Sequence, residues 1–376
     1  MLLSIAYNFA LYGLILPIVV YQLCRAVRQI KDWRFYTSQG KEANLYVCPW
    51  MVPSFGSLFA FVATNIKTWR RGSIEHPIGV LVKENCPMTP CNFLMGSCDE
   101  PGVIICDVRV VEAMYTTKNK YFDKHYMVQA FLYPLMGESI LLAPTSQEWK
   151  KSRQVLAPSF YKGKLVQMVD LAKISMQTTL ARFRQLAKEG GPRTTVDMVT
   201  EVSMMQVRIL LMCALGEDVS ERELNYWIKG KLEKRCVSYS LRESFHLCMN
   251  RLFSPHCFFI GYYAARSFVT PEERDLLANC LILRQFISDI VEKRRADLIK
   301  NPELANEGDF LTILLTEPHF KDDNSRIIDE CLTFFFAGSQ TSACATQNLF
   351  CSLLKHPEYQ TRLREELENK IVQPHL

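Results

Sequence analysis

Apolar residues run uninterrupted by charge from residue 1 to residue 24, MLLSIAYNFALYGLILPIVVYQLC, and beyond that they recur mostly at helical spacing. A 24-residue helix rises about 36 Å, enough to cross a hydrocarbon core of about 30 Å, and Pro17 kinks such a helix without forbidding it. Arg25, Arg28, Lys31 and Arg34 follow at once, against a single acid, Asp32. The positive-inside bias then puts the rest of the chain on the cytosolic side. A cleaved signal peptide is the rival reading, but it lacks a basic leading region and an A-x-A-like site before Arg25. The pattern thus divides the chain into a transmembrane anchor (1–24), a basic and proline-rich hinge (25–56, punctuated by Pro49, Pro53 and Gly56) and a body (57–376). Within the body, short apolar runs at 91–95 and 102–106 flank the turn-like Ser97-Cys-Asp-Glu-Pro101, which predicts a hairpin. Helical periodicity covers 108–117, 147–156, 163–188, 195–215, 271–300 and 325–354, with Gly190-Gly-Pro192 as the clearest break. The expected fold is mainly α with a small β-sheet near its start.

One apolar stretch does not fit a core helix. Residues 252–265, LFSPHCFFIGYYAA, have no acid, Lys or Arg and contain Pro255 and Gly261. They read either as a buried connection or as a surface loop dipping into the membrane that holds the anchor.

Composition narrows the function classes. Lys and Arg exceed Asp and Glu by 44 − 39 = 5, too mild over 376 residues to point to a nucleic-acid partner. Mean hydropathy near zero argues against a multi-span transporter. The 14 cysteines contain no C-x-x-C, so zinc ribbons and thioredoxin-like redox sites are unsupported. They read mostly as small buried apolar residues in a reducing compartment.

Candidate chemistry concentrates in two helices. The run 327–358 reads as one helix of about 30 residues, on the order of 45 Å, ended by Pro357. A helix so long and apolar belongs inside a large domain. Midway, Phe334-Phe-Phe336 gives way to Ala337-Gly338-Ser339, where side-chain bulk disappears and something flat could approach the backbone. Thr341 shares a face with Ala337 and can bond its carbonyl. Close helix–helix packing with a satisfied core threonine explains the same pattern. In the second helix, Trp149 and Arg153 sit at i and i+4 and offer an indole N–H and a guanidinium fork to a carboxylate on a flat ligand. A packing tryptophan beside an exposed arginine is the plainer alternative.

Trp149-x-x-x-Arg153 and Ala337-Gly-Ser-Gln-Thr341-Ser, in this order on a membrane-anchored helical chain, resemble a microsomal cytochrome P-450. The likeness extends to the proline-rich segment 49–56, to Gly137-Glu-Ser-Ile-Leu-Leu and Ala157-Pro-Ser-Phe around the family's haem-contacting helix, and to Phe310-Leu-Thr-Ile-Leu-Leu, Asp329-Glu-Cys331 and His356-Pro-Glu-Tyr-Gln around its central helix. Residues 252–265 fall where the family has a membrane-dipping loop. The resemblance implies a haem-thiolate monooxygenase of the endoplasmic reticulum, fed by an NADPH-dependent reductase and inserting one oxygen atom of O2 into an apolar substrate. Trp149 and Arg153 would hold a haem propionate. Ala337 and Gly338 would leave room above the iron, and Thr341 would steady dioxygen and the water that delivers its proton. Gln340 stands where the family usually has an acid, and an amide positions water but cannot relay a proton by ionising. Lys150, Lys151 and Lys162 would be docking charges for the reductase, and Phe334, Phe335 and Phe336 would make the pocket apolar and aromatic.

The resemblance stops before the family's iron-ligating loop. No Glu after Thr341 has an Arg three residues on, and no Phe-x-x-Gly-x-x-x-Cys occurs; the nearest spelling, Phe93-x-x-Gly96, has Glu100 where the Cys belongs. Glu292-x-x-Arg295 precedes the central helix and reads as a solvated face. The expectation is therefore a chain matching the first three-quarters of such an enzyme, without a cysteine assignable as the metal ligand and not competent by itself. Its alternative role is a non-catalytic membrane protein that binds a partner monooxygenase or reductase.

Overall fold

The computed structural model describes residues 13, 15–40, 45–48, 52, 57–71, 77–85, 92–96, 101–160, 162–191, 194–251, 267–268, 270–306 and 309–372. Most of the anchor (1–24), the hinge prolines, Phe-x-x-Gly's continuation at 97–100 and the segment 252–265 lie outside the described residues. The chain divides into two compact units, Met1–Ala130 with Asn250–Ser267, and Phe131–Met249 with Phe268–Leu376.

In the first unit, helix α1 (Leu16–Gly40) passes through the anchor–hinge boundary unbroken, because Arg25, Arg28 and Lys31 are good helix formers and Pro17 falls in its first turn, where proline is tolerated. Leu16, Ile18, Val19, Val20, Leu23 and Val27 are all exposed along it. Strand β1 (Leu45–Val47) leads to α2 (Leu58–Arg70) and α3 (Pro77–Asn85), tied by Lys67 to Glu84 at 2.5 Å. The expected hairpin is present: β2 (Asn92–Gly96) pairs antiparallel with β3 (Pro101–Ile105), Phe93 opposite Ile104, and β1 pairs parallel with β2 on its other edge. Phe93 is fully buried there. Helix α4 (Val108–Tyr115) follows, capped by Asp107.

The second unit takes in the last residues of α5 (Tyr126–Met136) and then α6 (Gln147–Leu156), α7 (Lys162–Gly190) and α8 (Met198–Leu215). A hairpin of β4 (Glu223–Ile228) and β5 (Lys231–Cys236) leads to α9 (Val237–Arg251), and after residue 270 come α10 (Pro271–Lys300), α11 (Phe310–Thr316), α12 (Asn324–Lys355) and α13 (Pro357–Val372). Helix ends follow their capping residues: Ser146, Asp197, Asp309 and Asp323 each accept a first-turn N–H, and Thr270 with Glu273 forms a reciprocal box. The core gathers Leu211 and Leu215 of α8, Leu241 and Phe245 of α9, Cys280, Leu283 and Ile287 of α10, Leu311 and Leu314 of α11, and Ile327, Cys331 and Phe335 of α12. Fully burying residues of this size contributes about 1.5–3 kcal/mol each.

Among the described residues, α8 is the one helix long and apolar enough to cross a membrane, and its buried residues Val207, Leu211, Ala214 and Leu215 belong to this core. Of the ten described cysteines, five are buried as expected, and burial pushes the Cys213 thiol up to about 11 and Cys331 higher still. Cys24, Cys106, Cys344 and Cys351 are exposed instead.

Candidate functional site

Helix α12 is built from two different halves. From Ile327 to Thr333 every side chain is buried, and so is Phe335. The three phenylalanines are core rather than pocket wall: Phe334 stacks on Phe310 with centroids 4.6 Å apart, Phe335 is fully buried, and Phe336 meets Phe245 edge-on at 5.2 Å. Three phenyl rings placed at successive positions point to three sides of a helix, and each finds a neighbouring helix or the Phe160 ring to pack on.

Acids inside this apolar run have specific partners. Asp329 forms an ion pair with Arg284 of α10 at 2.7 Å and accepts from the Glu138 N–H at 2.8 Å. Glu330 accepts from the Ile140 N–H, also at 2.8 Å. Together they clamp the loop 137–140, and Gly137, with φ +51°, is required because a Cβ there would meet the Asp329 carboxylate at 2.2 Å. Burial raises the Asp329 pKa, with Arg284 pulling the other way. Asp329-Glu330 does not announce this role by spacing; two acids amid Ile327, Ile328, Cys331 and Leu332 are the available signal, since buried carboxylates need partners.

Beyond Phe336 the helix opens. Ala337 and Thr341 are exposed, and so are Ser342, Cys344 and Ala345. Thr341 Oγ1 donates to the Ala337 carbonyl at 2.7 Å, the bond that the spacing predicts. Gln340 is partly buried on the neighbouring face. Gly338 does not contribute to the opening: a Cβ there would meet Leu210 of α8 at 2.8 Å, so its missing side chain serves close packing of α12 on α8. Gln206 to Thr346 and Gln347 to the Val199 carbonyl extend that contact.

The second pair sits on α6. The Arg153 guanidinium lies 5.5 Å from the centre of the Trp149 ring, so the two do share a face. The Trp149 indole N–H is already committed, donating to the Ile140 carbonyl at 2.9 Å. That carbonyl belongs to the clamped loop and takes the nearest donor. Arg153 is exposed. On α6, Glu148 and Ser152 turn to Arg326, the first reaching it at 2.7 Å, and His319 Nε2 lies 3.1 Å from both Ser152 Oγ and the Arg326 guanidinium. Burial and then Arg326 lower the His319 pKa, while the Arg326 hydrogen bond lowers that of Glu148. This node joins α6 to the start of α12, and nothing local in the sequence announced it.

Trp149, Glu148 and Ser152 line a half-open cavity of about 730 Å³ with Arg284, Arg326, Asp329 and Glu330. The cavity thus touches the buried half of α12, and its lining does not include Ala337 or Thr341. Among the described residues no group of three His, Cys, Asp or Glu could hold a metal ion. Of the Glu292-x-x-Arg295 spacing, Glu292 is exposed, while Arg295 is half-buried and its guanidinium bonds the Asn324 side chain at 2.7 Å and the Lys321 carbonyl.

Tested against a haem, the chain fits on one side only. The Ala337–Thr341 surface is free of bulk and open, and the exposed Arg153 fork suits a carboxylate. The Trp149 N–H and the Gly338 space are already used by the protein, and no described thiol is placed by this geometry as an axial ligand.

Comparison with known proteins gives these helices a context. The sequence matches the family model for cytochrome P450 over residues 91–375. It is 24% identical over 282 residues to cytochrome P450 4F11 of Homo sapiens, covering 71% of this chain and 50% of that protein. It is 27% identical over 265 residues to cytochrome P450 4A7 of Oryctolagus cuniculus (68% and 49%). Leukotriene-B4 omega-hydroxylase 3 of Mus musculus is 22% identical over 282 residues (71% and 50%). The chain spans about half the length of these curated relatives. With a family match that takes in α6, the Thr341 helix and everything between them, the chain belongs to the cytochrome P450 family.

Proposed function

We propose that the chain serves haem-dependent monooxygenation of an apolar organic molecule, and that its haem-facing surface is the open side of α12 at Ala337 and Thr341. The observation that carries this reading is the sudden exposure of small residues on a helix otherwise buried to Phe335. Haem, when bound, supplies the activation of dioxygen. The chain's own residues do the rest. Ala337 keeps the approach free of bulk. Thr341, its proton directed to the Ala337 carbonyl, presents oxygen lone pairs to a water. Gln340 orients that water but does not ionise, which slows proton delivery relative to an acid at the same place. Arg153, with Trp149 beneath it, takes the carboxylate. Gly338 supports the helix rather than the ligand.

Residues 1–24 anchor the chain in the endoplasmic reticulum membrane with the body toward the cytosol, and the exposed apolar side chains of α1 support this. Residues 252–265 are a second lipid contact. An NADPH-dependent reductase supplies electrons, with the exposed Lys150 and Lys151 as docking charges. Similarity to the murine leukotriene-B4 omega-hydroxylase supports a lipid-like substrate.

For these 376 residues by themselves the reading is narrower. They contain neither the Cys loop nor the Glu-x-x-Arg helix, so they do not turn over substrate. The exposed Leu349, Phe350, Leu354, Tyr359, Leu363 and Leu367 of α12 and α13 favour a second role, binding a partner monooxygenase or reductase in the membrane. A carbon-monoxide difference spectrum of the reduced, haem-supplied chain tests the first point. No band, or an imidazole-like one, is expected; a thiolate-type Soret band would show that one of the cysteines serves as ligand, and overturn it.

A further inference from the structure

The open face of α12 and the Arg153 fork sit on different helices, so their relative placement has to be set by contacts between them. Glu330 of α12 begins such a path. It is 2% exposed, and its carboxylate accepts from the Ile140 N–H at 2.8 Å. The Ile140 carbonyl in turn accepts from the Trp149 indole N–H at 2.9 Å. The Arg153 guanidinium lies over that indole, 5.5 Å from the ring centre and within reach of a cation–π contact. The path thus runs from α12 through the loop 137–140 to α6, and it uses both backbone polar groups of Ile140.

Each contact restricts a different motion. Held at its N–H and at its carbonyl, Ile140 cannot turn its peptide planes freely. The Trp149 hydrogen bond then fixes the indole about its side-chain torsions. A guanidinium stacked on a fixed ring keeps its N–H edge directed outward, the geometry a carboxylate needs for two parallel bonds. Arg326 also ties α6 to α12, by way of Glu148 and Ser152, but those bonds hold the helix and not the Trp149 ring. A carboxylate buried among Ile327, Ile328, Cys331 and Leu332 costs desolvation, offset here by a charge-assisted bond directional enough to fix Ile140. Ala337 lies seven residues beyond Glu330 on the same helix, about 10 Å along its axis. We infer that Glu330 is a positioning residue for the carboxylate of bound haem: through Ile140 and Trp149 it fixes the Arg153 fork relative to Ala337 and Thr341. The inference rests on the reading of Arg153 proposed above.

The test titrates protoporphyrin IX and its dimethyl ester into the full chain in detergent micelles, followed by porphyrin fluorescence. The two probes differ only in their carboxylates, so the ratio of their affinities reads the Arg153 grip and cancels binding to apolar surface. The unaltered chain should prefer the acid about tenfold, and Arg153→Ala should abolish the preference. Glu330→Ala should lower it to about the level of Arg153→Ala, while Glu330→Gln, which still offers an oxygen to the Ile140 N–H, should keep most of it. Trp149→Phe breaks the same path from α6 and leaves α12 untouched. Its loss should match that of Glu330→Ala, and the double variant should lose no more than either. Leu314→Ala, a core truncation in α11, should lower the melting temperature and leave the ratio unchanged. By nuclear magnetic resonance, the Trp149 indole N–H should exchange slowly with solvent in the unaltered chain and rapidly in Glu330→Ala. No preference for the acid in the unaltered chain overturns the reading of Arg153 and this inference with it. A preference that Arg153→Ala abolishes and Glu330→Ala leaves intact overturns the inference alone. So do losses from Glu330→Ala and Trp149→Phe that add, or a Trp149 N–H whose exchange Glu330→Ala does not change.

Discussion

The two halves of α12 share one continuous backbone, yet they face opposite demands. Before Ala337 the helix is sealed in by α8, α9, α10 and α11, with its two acids spent on holding the loop 137–140. After it, α8 covers one side and the other is open: Leu349, Phe350 and Leu354 are 55%, 43% and 76% exposed, and Ala343 is the only buried residue past Ser339. The contrast separates what builds the fold from what is left for a ligand or a partner. It also divides the Ala337-Gly338 pair, which sequence reading had taken together: Ala337 faces the opening, and Gly338 faces Leu210.

The sharpest way to break this comparison is truncation in each half. Phe335→Ala should lose about 3–5 kcal/mol of stability, whereas Leu349→Ala should change it by less than about 0.5 kcal/mol, measured by urea denaturation. Next in size is the clamp. Asp329→Ala removes the counter-charge of Arg284, which keeps its bond to the Leu135 carbonyl, and the acceptor of the Glu138 N–H, and should lose about 3 kcal/mol; removing Arg284 as well should recover part of it, which a double-mutant cycle reads directly. Gly338→Val should then lose about 1–3 kcal/mol by forcing Leu210 aside, against less than about 0.5 kcal/mol for Ala337→Val. If the two substitutions are equivalent, the division between packing and ligand face is wrong.

The smallest expected effect is a pH dependence. Burial and Arg326 disfavour the His319 imidazolium in the folded chain, so the unfolded chain takes up the proton more readily. Stability from this group is fully present above its unfolded pKa and declines as pH falls below about 6.5. His319→Gln should flatten that decline, seen as a smaller shift in unfolding midpoint between neutral and mildly acidic buffer.

The long helices were legible because each carries local signals at both ends: Ser146, Thr270 with Pro271, and Pro357 fix α6, α10 and α12 to within a residue of their expected bounds. The Thr341–Ala337 bond was legible for the same reason, being four residues apart. Hairpin β4–β5 was not. Its loop, Lys229-Gly230, takes positive φ at both positions without an Asn or Asp to advertise it, and β5 is mostly charged. What holds it is Asn279, far along the chain, whose side chain bonds both the N–H and the carbonyl of Trp227. The commitments of the Trp149 N–H to Ile140 and of Gly338 to Leu210 were hidden likewise, since a residue's type shows what it can do and only its neighbours show what it is already doing.

The most direct measurement of the difference between the halves is amide hydrogen exchange along α12, read by mass spectrometry on the full chain. Slow exchange over residues 327–336 with rapid exchange over 344–355 is the predicted result. Uniform protection from end to end would contradict it, and would mean that the surface around Ala337 and Thr341 is covered by the protein itself.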